Sequence, residues 1–152
     1  MTTTRLATVN DKLAVLGLLD ELLSFIDETN HGTHTPVQTV GSPLYETVMR
    51  DNSLQIFLAE DHGQAVGLMT FFVYPVIRRG HYRGQIEDVF VTKTMRGKGV
   101  GSKLLEAVKA YCHDYGISSV RLNSGLLLTE AHAFYEKNGG KFTERMYRFD
   151  IE

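Results

Sequence analysis

Apolar residues recur at three- and four-residue steps in two long stretches of this chain, and short runs rich in β-branched and aromatic residues lie between them. Leu16, Leu19, Leu22, Leu23 and Ile26 fall on one side of a helix that Asn10 or Asp11 can cap and that ends near Asn30. Val100, Leu104, Val108, Tyr111, Cys112 and Tyr115 form the buried stripe of a second helix, stopped at Gly116. Residues 54–59, 65–76 and 85–92 have the composition of strands. The turns Asp61-His62-Gly63 and Arg78-Arg79-Gly80 join them into an antiparallel meander.

Weaker patterns complete the element order. A short strand is expected at 5–8, a short helix at 43–52, a strand at 119–123, a helix from Thr129 to Asn138 closed by Gly139, and a last strand at 141–149. The polar stretch from Asn30 to Pro36 is too irregular for an element and reads as a mobile loop. No internal repeat or low-complexity tract appears.

Composition narrows the class without naming a function. A length of 152 residues and 43% hydrophobic content suit one globular domain spanning 1–152. A net charge of −2 with interspersed signs argues against a dedicated nucleic-acid binder. The single cysteine, Cys112, excludes an intrachain disulfide and is expected in the core. No signal-peptide core and no apolar run of about 18 residues is present, so the expected setting is the cytoplasm, away from membranes.

The most informative segment runs from Val89-Phe90-Val91 through Arg96-Gly97-Lys98-Gly99-Val100-Gly101-Ser102. It leads from a strand through a basic, glycine-rich turn into a helix, where unpaired N–H groups and the positive end of the dipole favour an anion. The spacing is not G-x-x-x-x-G-K-[ST], nor the dinucleotide G-x-G-x-x-G followed by an acidic residue about twenty positions on. It is [RQ]-x-x-G-x-[GA], a cradle for pyrophosphate.

With this cradle, and with Ala131-His132-Ala133-Phe134-Tyr135-Glu136-Lys137-Asn138-Gly139 matching A-x-x-x-Y-x-x-x-G, the chain resembles the GNAT superfamily of acyl-CoA N-acyltransferases over roughly residues 50–145. The resemblance implies an α+β fold: a mixed, largely antiparallel sheet, helices on both faces, and a splayed parallel strand pair that admits acyl-CoA. It implies acetyl-CoA as co-substrate, held by the backbone of Val89, Phe90 and Val91, by the cradle Arg96, Gly97, Lys98, Gly99, Val100, Gly101 and Ser102, and by Asn123. Tyr135 matches the family tyrosine placed near the thioester sulfur. Two departures stand out: Leu128 replaces a frequent asparagine, and Gly140 replaces an aromatic whose packing Phe142 is expected to take over.

The reaction itself sets further requirements. Deprotonating an amine of lysine-like pKa at pH 7 costs about 4.6 kcal/mol, so a base is useful, and so is a proton donor at the departing sulfur. Glu87, within Ile86-Glu87-Asp88-Val89, is the leading base, expected among apolar neighbours; Asp88 points to the opposite side unless a bulge intervenes and is the reserve. Tyr135 is the acid. The loop after the first helix is expected to border the amine pocket, bringing Glu28, His31 and His34 to the acceptor. His31 and His34 have chelating spacing, but no cysteine or carboxylate cluster supports a metal, and none is expected.

The expected activity is acetyl transfer to the primary amine of a small molecule by direct attack in a ternary complex. A cationic acceptor calls for Glu21, Asp27, Glu28 and Glu87, and an anionic one for Arg78, Arg79 or Arg83. A protein or peptide acceptor and a non-catalytic acyl-CoA-binding module are the competing readings, and homodimer formation stays open.

Overall fold

The computed structural model describes residues 1–151 and divides into two compact units, Met1–Leu122 and the residues from Asn123 onward. The first unit holds a five-stranded sheet in the order β1-β2-β3-β4-β5: β1 Thr3–Leu6, β2 Gln55–Asp61, β3 Gln64–Val76, β4 His81–Val91 and β5 Val120–Leu122. Neighbours are antiparallel except β4 and β5, which run parallel. The predicted meander is β2-β3-β4.

Alternation along the strands sends side chains to two different helical layers. Leu58, Leu68 and Phe90 pack against α1 (Lys12–Asn30) and α2 (Val37–Asp51), whose Leu16, Val37 and Tyr45 complete a buried cluster. On the other face, Phe57 and Phe71 meet the edge of Tyr111 from α3 (Val100–Asp114), at centroid distances of 5.8 and 5.7 Å. Cys112 is buried on the same helix, whereas Tyr115, expected in its stripe, is 69% exposed and stacks on Tyr111. Among the described residues of the second unit the helix is α4, Thr129–Lys137. Among the described residues no helix is long and apolar enough to cross a membrane.

Several boundaries differ from the sequence reading. Asp11 stands at the N-cap of α1, as expected, but makes no side-chain cap bond there; the capping box lies one turn earlier, on the 3-10 turn Val9–Asp11, where the Thr8 hydroxyl accepts the Asn10 N–H and the Thr8 N–H donates to the Asp11 carboxylate. Proline normally opens a helix because it lacks an N–H, yet α2 begins at Val37 and carries Pro43 inside. The last strand predicted at 141–149 is not formed, and residues 140–151 have no regular structure. Phe142 is 86% exposed, so it does not replace the missing aromatic packing.

The connection between α1 and α2 is tied down. His34 Nδ1 lies 2.5 Å from Asp27 Oδ2 and Nε2 lies 3.1 Å from Asp20 Oδ1, while the Val37 N–H donates to the same Asp20 oxygen. Only a protonated imidazole can donate from both nitrogens, and the hydrogen bonds to Asp27 and Asp20 raise the His34 pKa. A raised histidine pKa contributes stability that is fully present below the ordinary value of about 6.5 and lost as pH rises through the higher folded value. The melting temperature of the His34→Ala variant should therefore fall below that of wild type at pH 6 and converge on it in alkaline buffer, as read by thermal melts across pH; a difference independent of pH would remove charge from the explanation.

Candidate functional site

The site grows from a mismatch between β3 and β4. Met69 pairs with Val89 and Phe71 with Ile86, so Glu87 and Asp88 together stand opposite Thr70. This is the bulge on which the placement of Asp88 turned. Thr70 is the one buried polar residue of the described core, 1% exposed, and its hydroxyl donates to Asp88 Oδ2 at 2.7 Å while accepting the Asp88 N–H at 2.9 Å. Asp88 is half-buried and desolvation raises its pKa, with the Thr70 hydrogen bond opposing. Glu87 is exposed, which corrects the apolar setting expected for it.

The same stretch has an open edge. β5 pairs with β4 only across Gly84, Gln85 and Ile86, so β4 continues for five residues without a neighbour on that side. The Thr92 N–H donates to Val66 across the β3 side, and alternation then turns the backbone groups of Val89 and Val91 outward. Of the three strand residues expected to pair with an extended ligand, Val89 and Val91 thus face the open edge, while the backbone of Phe90 is turned to β3. One of them is already engaged, since Arg96 Nε donates to the Val91 carbonyl at 2.9 Å. The Arg96 guanidinium also lies over the rings of Phe25 and Phe90, 4.7 and 5.4 Å from their centroids. Arg96 thus latches α1 to β4, a role additional to the phosphate contact expected of it.

Beyond Arg96 the chain forms the cradle. Gly97 and Gly99 have φ of 74° and 79°, and a Cβ at either position would meet nothing within 4 Å. Gly99 is the N-cap of α3 and offers no side chain to cap it; the Lys103 N–H bonds back to the Gly99 carbonyl, and the N–H groups of Val100, Gly101 and Ser102 precede that first helical bond. Open space in front of such donors suits a bulky anion. Lys98 is exposed and Ser102 half-buried at the same turn. These residues fit a nucleotide pyrophosphate.

The second unit holds the other candidates. Tyr135 is half-buried on α4, edge-on to Phe134 at 5.4 Å, and burial raises its phenol pKa, which keeps it a proton donor. His132 Nε2 lies 2.8 Å from the Gly125 carbonyl and steadies the turn before the helix. Asn123 is exposed just past β5. Ser124, not anticipated, has a buried hydroxyl with no partner. In the first unit Glu28 and His31 are exposed, His31 at φ 57° closing α1, and His34 is held by its two carboxylates rather than mobile. Thr70 was also missed; its trace in the sequence is a lone polar residue inside the apolar run Gly67-Leu68-Met69-Thr70-Phe71-Phe72.

A family model for the acetyltransferase (GNAT) family matches residues 19–140. The chain belongs to that family. It is 26% identical over 91 residues to the aminoalkylphosphonate N-acetyltransferase of Salmonella typhimurium, covering 60% of this chain and 59% of that protein. It is 32% identical over 98 residues to the glucosamine 6-phosphate N-acetyltransferase of Trypanosoma brucei brucei, covering 64% of this chain and 65% of that protein. The chain therefore spans about three fifths of the length of these curated relatives. In fold it is similar to the crystal structure of a ribosomal-protein-alanine N-acetyltransferase from Brucella melitensis, with a TM-score of 0.82, 18% identity and 99% of both chains covered. The largely antiparallel order and the helices on both faces are those expected from the sequence.

Replacing Gly99 by valine puts a branched side chain into the space in front of the α3 donors and strains a left-handed residue. Gly80→Val imposes the same strain at φ 63° in the β3–β4 turn, also in open space. Calorimetry should show acetyl-CoA affinity falling at least tenfold in Gly99→Val and unchanged in Gly80→Val; equal affinities would move the pyrophosphate away from the cradle.

Proposed function

We propose that this chain is an acetyl-CoA-dependent N-acetyltransferase acting on the primary amine of a small molecule, by direct attack in a ternary complex. The observation that carries this reading is the β4 bulge: it sets a desolvated carboxylate, Asp88, beside an open strand edge that runs into an anion cradle.

The residues divide the work as follows. The outward backbone of Val89 and Val91 and the N–H groups of Val100, Gly101 and Ser102 hold acetyl-CoA, which supplies an acyl carbon and a thiolate leaving group. Asp88 takes a proton from the bound ammonium, and the amine lone pair so freed attacks the thioester carbonyl. Its Oδ2 is occupied by Thr70, so Oδ1 is the accepting atom. A pKa raised by burial brings this base closer to that of the amine, which lowers the cost of the transfer. Tyr135 supplies a proton to the departing sulfur. Glu87, exposed beside the base, adds negative charge for a cationic acceptor.

The hairpin arginines are poorly placed to choose an anionic acceptor. Strands advance about 3.3 Å per residue, so Arg78 and Arg79, at the far end of β4, lie about 25 Å along the strand from Asp88. A small acceptor cannot touch both. The two sequence relatives are nevertheless named for acceptors that join an amine to a phosphonate or phosphate. Such acceptors therefore head the series to test.

A thiol-release screen with acetyl-CoA should give turnover with at least one small amine among diamines, aminophosphonates and amino-sugar phosphates. Turnover confined to lysine peptides would replace the acceptor class, and tight acetyl-CoA binding with no turnover on any amine would make the chain a binding module.

With the best acceptor, Asp88→Asn should lower kcat/KM by about 10²–10⁴ near neutral pH, and the defect should shrink as pH approaches the amine pKa. Glu87→Gln should change the acceptor KM and leave the profile's shape alone. A pH-independent defect in Asp88→Asn would reduce Asp88 to a positioning role.

A further inference from the structure

Asp88 shares its face of the sheet with a line of aromatic, amide and cationic side chains on β3 and β4. Leu68 and Phe90 lie under α1 and α2, whereas Phe71 meets α3 on the other side. The extra residue of the bulge belongs to β4, so β3 alternates without a break, and Thr70, Phe72 and Tyr74 follow Leu68 on the first face. Across the ladder Gln85 stands opposite Phe72 and Arg83 opposite Tyr74, and directly opposed side chains share a face. From Asp88, held by Thr70, the line therefore runs past Phe72 and Gln85 to Tyr74 and Arg83.

This part of the face stays partly open to solvent. Phe72, Tyr74, Gln85 and Arg83 are all half-buried, and neither aromatic belongs to the cluster under α1 and α2. The two rings lie 6.1 Å apart, tilted by 42°, and form one apolar step between the carboxylate and the arginine.

The two ends of the line carry opposite charge. Asp88 and Glu87 stand at one end. At the other, Arg83 Nε donates to the neutral Ser119 Oγ at 3.2 Å, and among the described residues no carboxylate pairs with the guanidinium. The sequence has none to offer nearby, since no acidic residue occurs between Asp61 and Glu87. A half-buried guanidinium held by a hydroxyl and lacking a counter-ion is suited to a carboxylate or phosphate from a ligand.

Strand geometry sets the length of that ligand. Tyr74 is four residues from Thr70, about 13 Å along β3 at about 3.3 Å per residue. Arg83 is thus about half as far from Asp88 as the hairpin arginines. An amine only two carbons from its anionic group is too short for both ends, and one carried on a ring or a chain of several carbons is long enough.

We infer that this face seats the acceptor and that Arg83 selects primary amines whose ammonium is separated by a ring or several carbons from an anionic group. The ammonium lies at Asp88 and Glu87, the spacer over Phe72 and Tyr74, and the phosphate or carboxylate on Arg83. This rests on the acetyl-transfer reading and narrows its acceptor class. Diamines fall outside it, because their second ammonium would meet a guanidinium, and so do the shortest aminophosphonates.

Acceptor affinity is measured by calorimetry in the presence of CoA, where no acetyl group is available and binding is separated from turnover. In wild type, 6-aminohexyl phosphate should bind at least tenfold tighter than 6-aminohexanol, the factor expected of one charge-assisted contact, and tighter than 2-aminoethyl phosphate. Replacing the phosphate by the carboxylate of 6-aminohexanoate shows which anion the site prefers, and either preference over the alcohol supports the assignment. In Arg83→Gln the phosphate and the alcohol should bind alike, and Arg83→Lys should restore part of the difference, with acetyl-CoA affinity as the check on folding. Equal binding of the anionic and neutral acceptors by wild type, a preference for 2-aminoethyl phosphate, or a preference that persists in folded Arg83→Gln would each overturn the inference. The wild-type comparisons stand even if the variants fail to fold. Anion preference with no turnover on any amine would overturn the acetyl-transfer reading and uphold Arg83 as the anion's partner.

Discussion

Glu87 and Asp88 occupy, on β4, the space that Thr70 alone occupies on β3, and this extra residue sets the geometry of everything around it. Ile86 and Phe90 are four positions apart and would share a face in a regular strand. Here Ile86 lies opposite Phe71, on the side of α3, while Phe90 joins the cluster under α1. One bulge therefore lets a single strand serve both hydrophobic layers. It also bends β4 where its pairing with β5 ends, which leaves Val89 and Val91 without a neighbouring strand on that side. The buried Thr70 hydroxyl fastens the bulge from inside by bonding both the backbone and the side chain of Asp88.

From that edge the organisation passes to the cradle through Arg96. Its Nε holds the Val91 carbonyl, and its guanidinium lies over one ring from β4 and one from α1. An arginine is suited to this because a planar cation can stack and donate at once. The first residue of the glycine-rich motif is thus also the piece that keeps strand, helix and turn in one relation. The glycines that follow have left-handed backbones with open space before them, so the turn stays narrow while the donors of α3 stay accessible.

Much of this was legible in the sequence because it depends on local signals. The β2-β3-β4 meander follows from β-branched runs and turn residues, α3 from its three- and four-residue stripe, and the cradle from glycine spacing. What escaped depends on partners distant in the chain. Pro43 reads as a helix start by local rules, yet tertiary packing of Val37 and Tyr45 extends α2 on both sides of it. The strand at 141–149 has the right alternation, but alternation cannot supply the neighbouring edge that its backbone needs. The bulge is a question of register between β3 and β4, and nothing within β4 alone distinguishes Glu87 from Asp88. His34 reads as a mobile loop residue until Asp20 and Asp27, about two turns apart on α1, are brought around it.

Two adjacent carboxylates in different surroundings are the chemical consequence of the bulge. Were both exposed, each would stay ionised at neutral pH with a proton affinity far below that of an amine, and neither would take an ammonium proton readily. Were both buried, their mutual repulsion and desolvation would favour a shared proton, as in any close carboxylate pair. The structure separates them instead: Asp88 is drawn inward with one oxygen on Thr70, and Glu87 faces solvent. Desolvation raises the affinity of the inner carboxylate for a proton without a second charge beside it in the same apolar space. The Thr70 hydroxyl limits that rise by stabilising the ionised form, so that the proposed base remains available at the pH where it must act. A register shift of one residue would exchange the two surroundings, and for that reason the side chain that fixes the register belongs to the chemistry as much as to the fold.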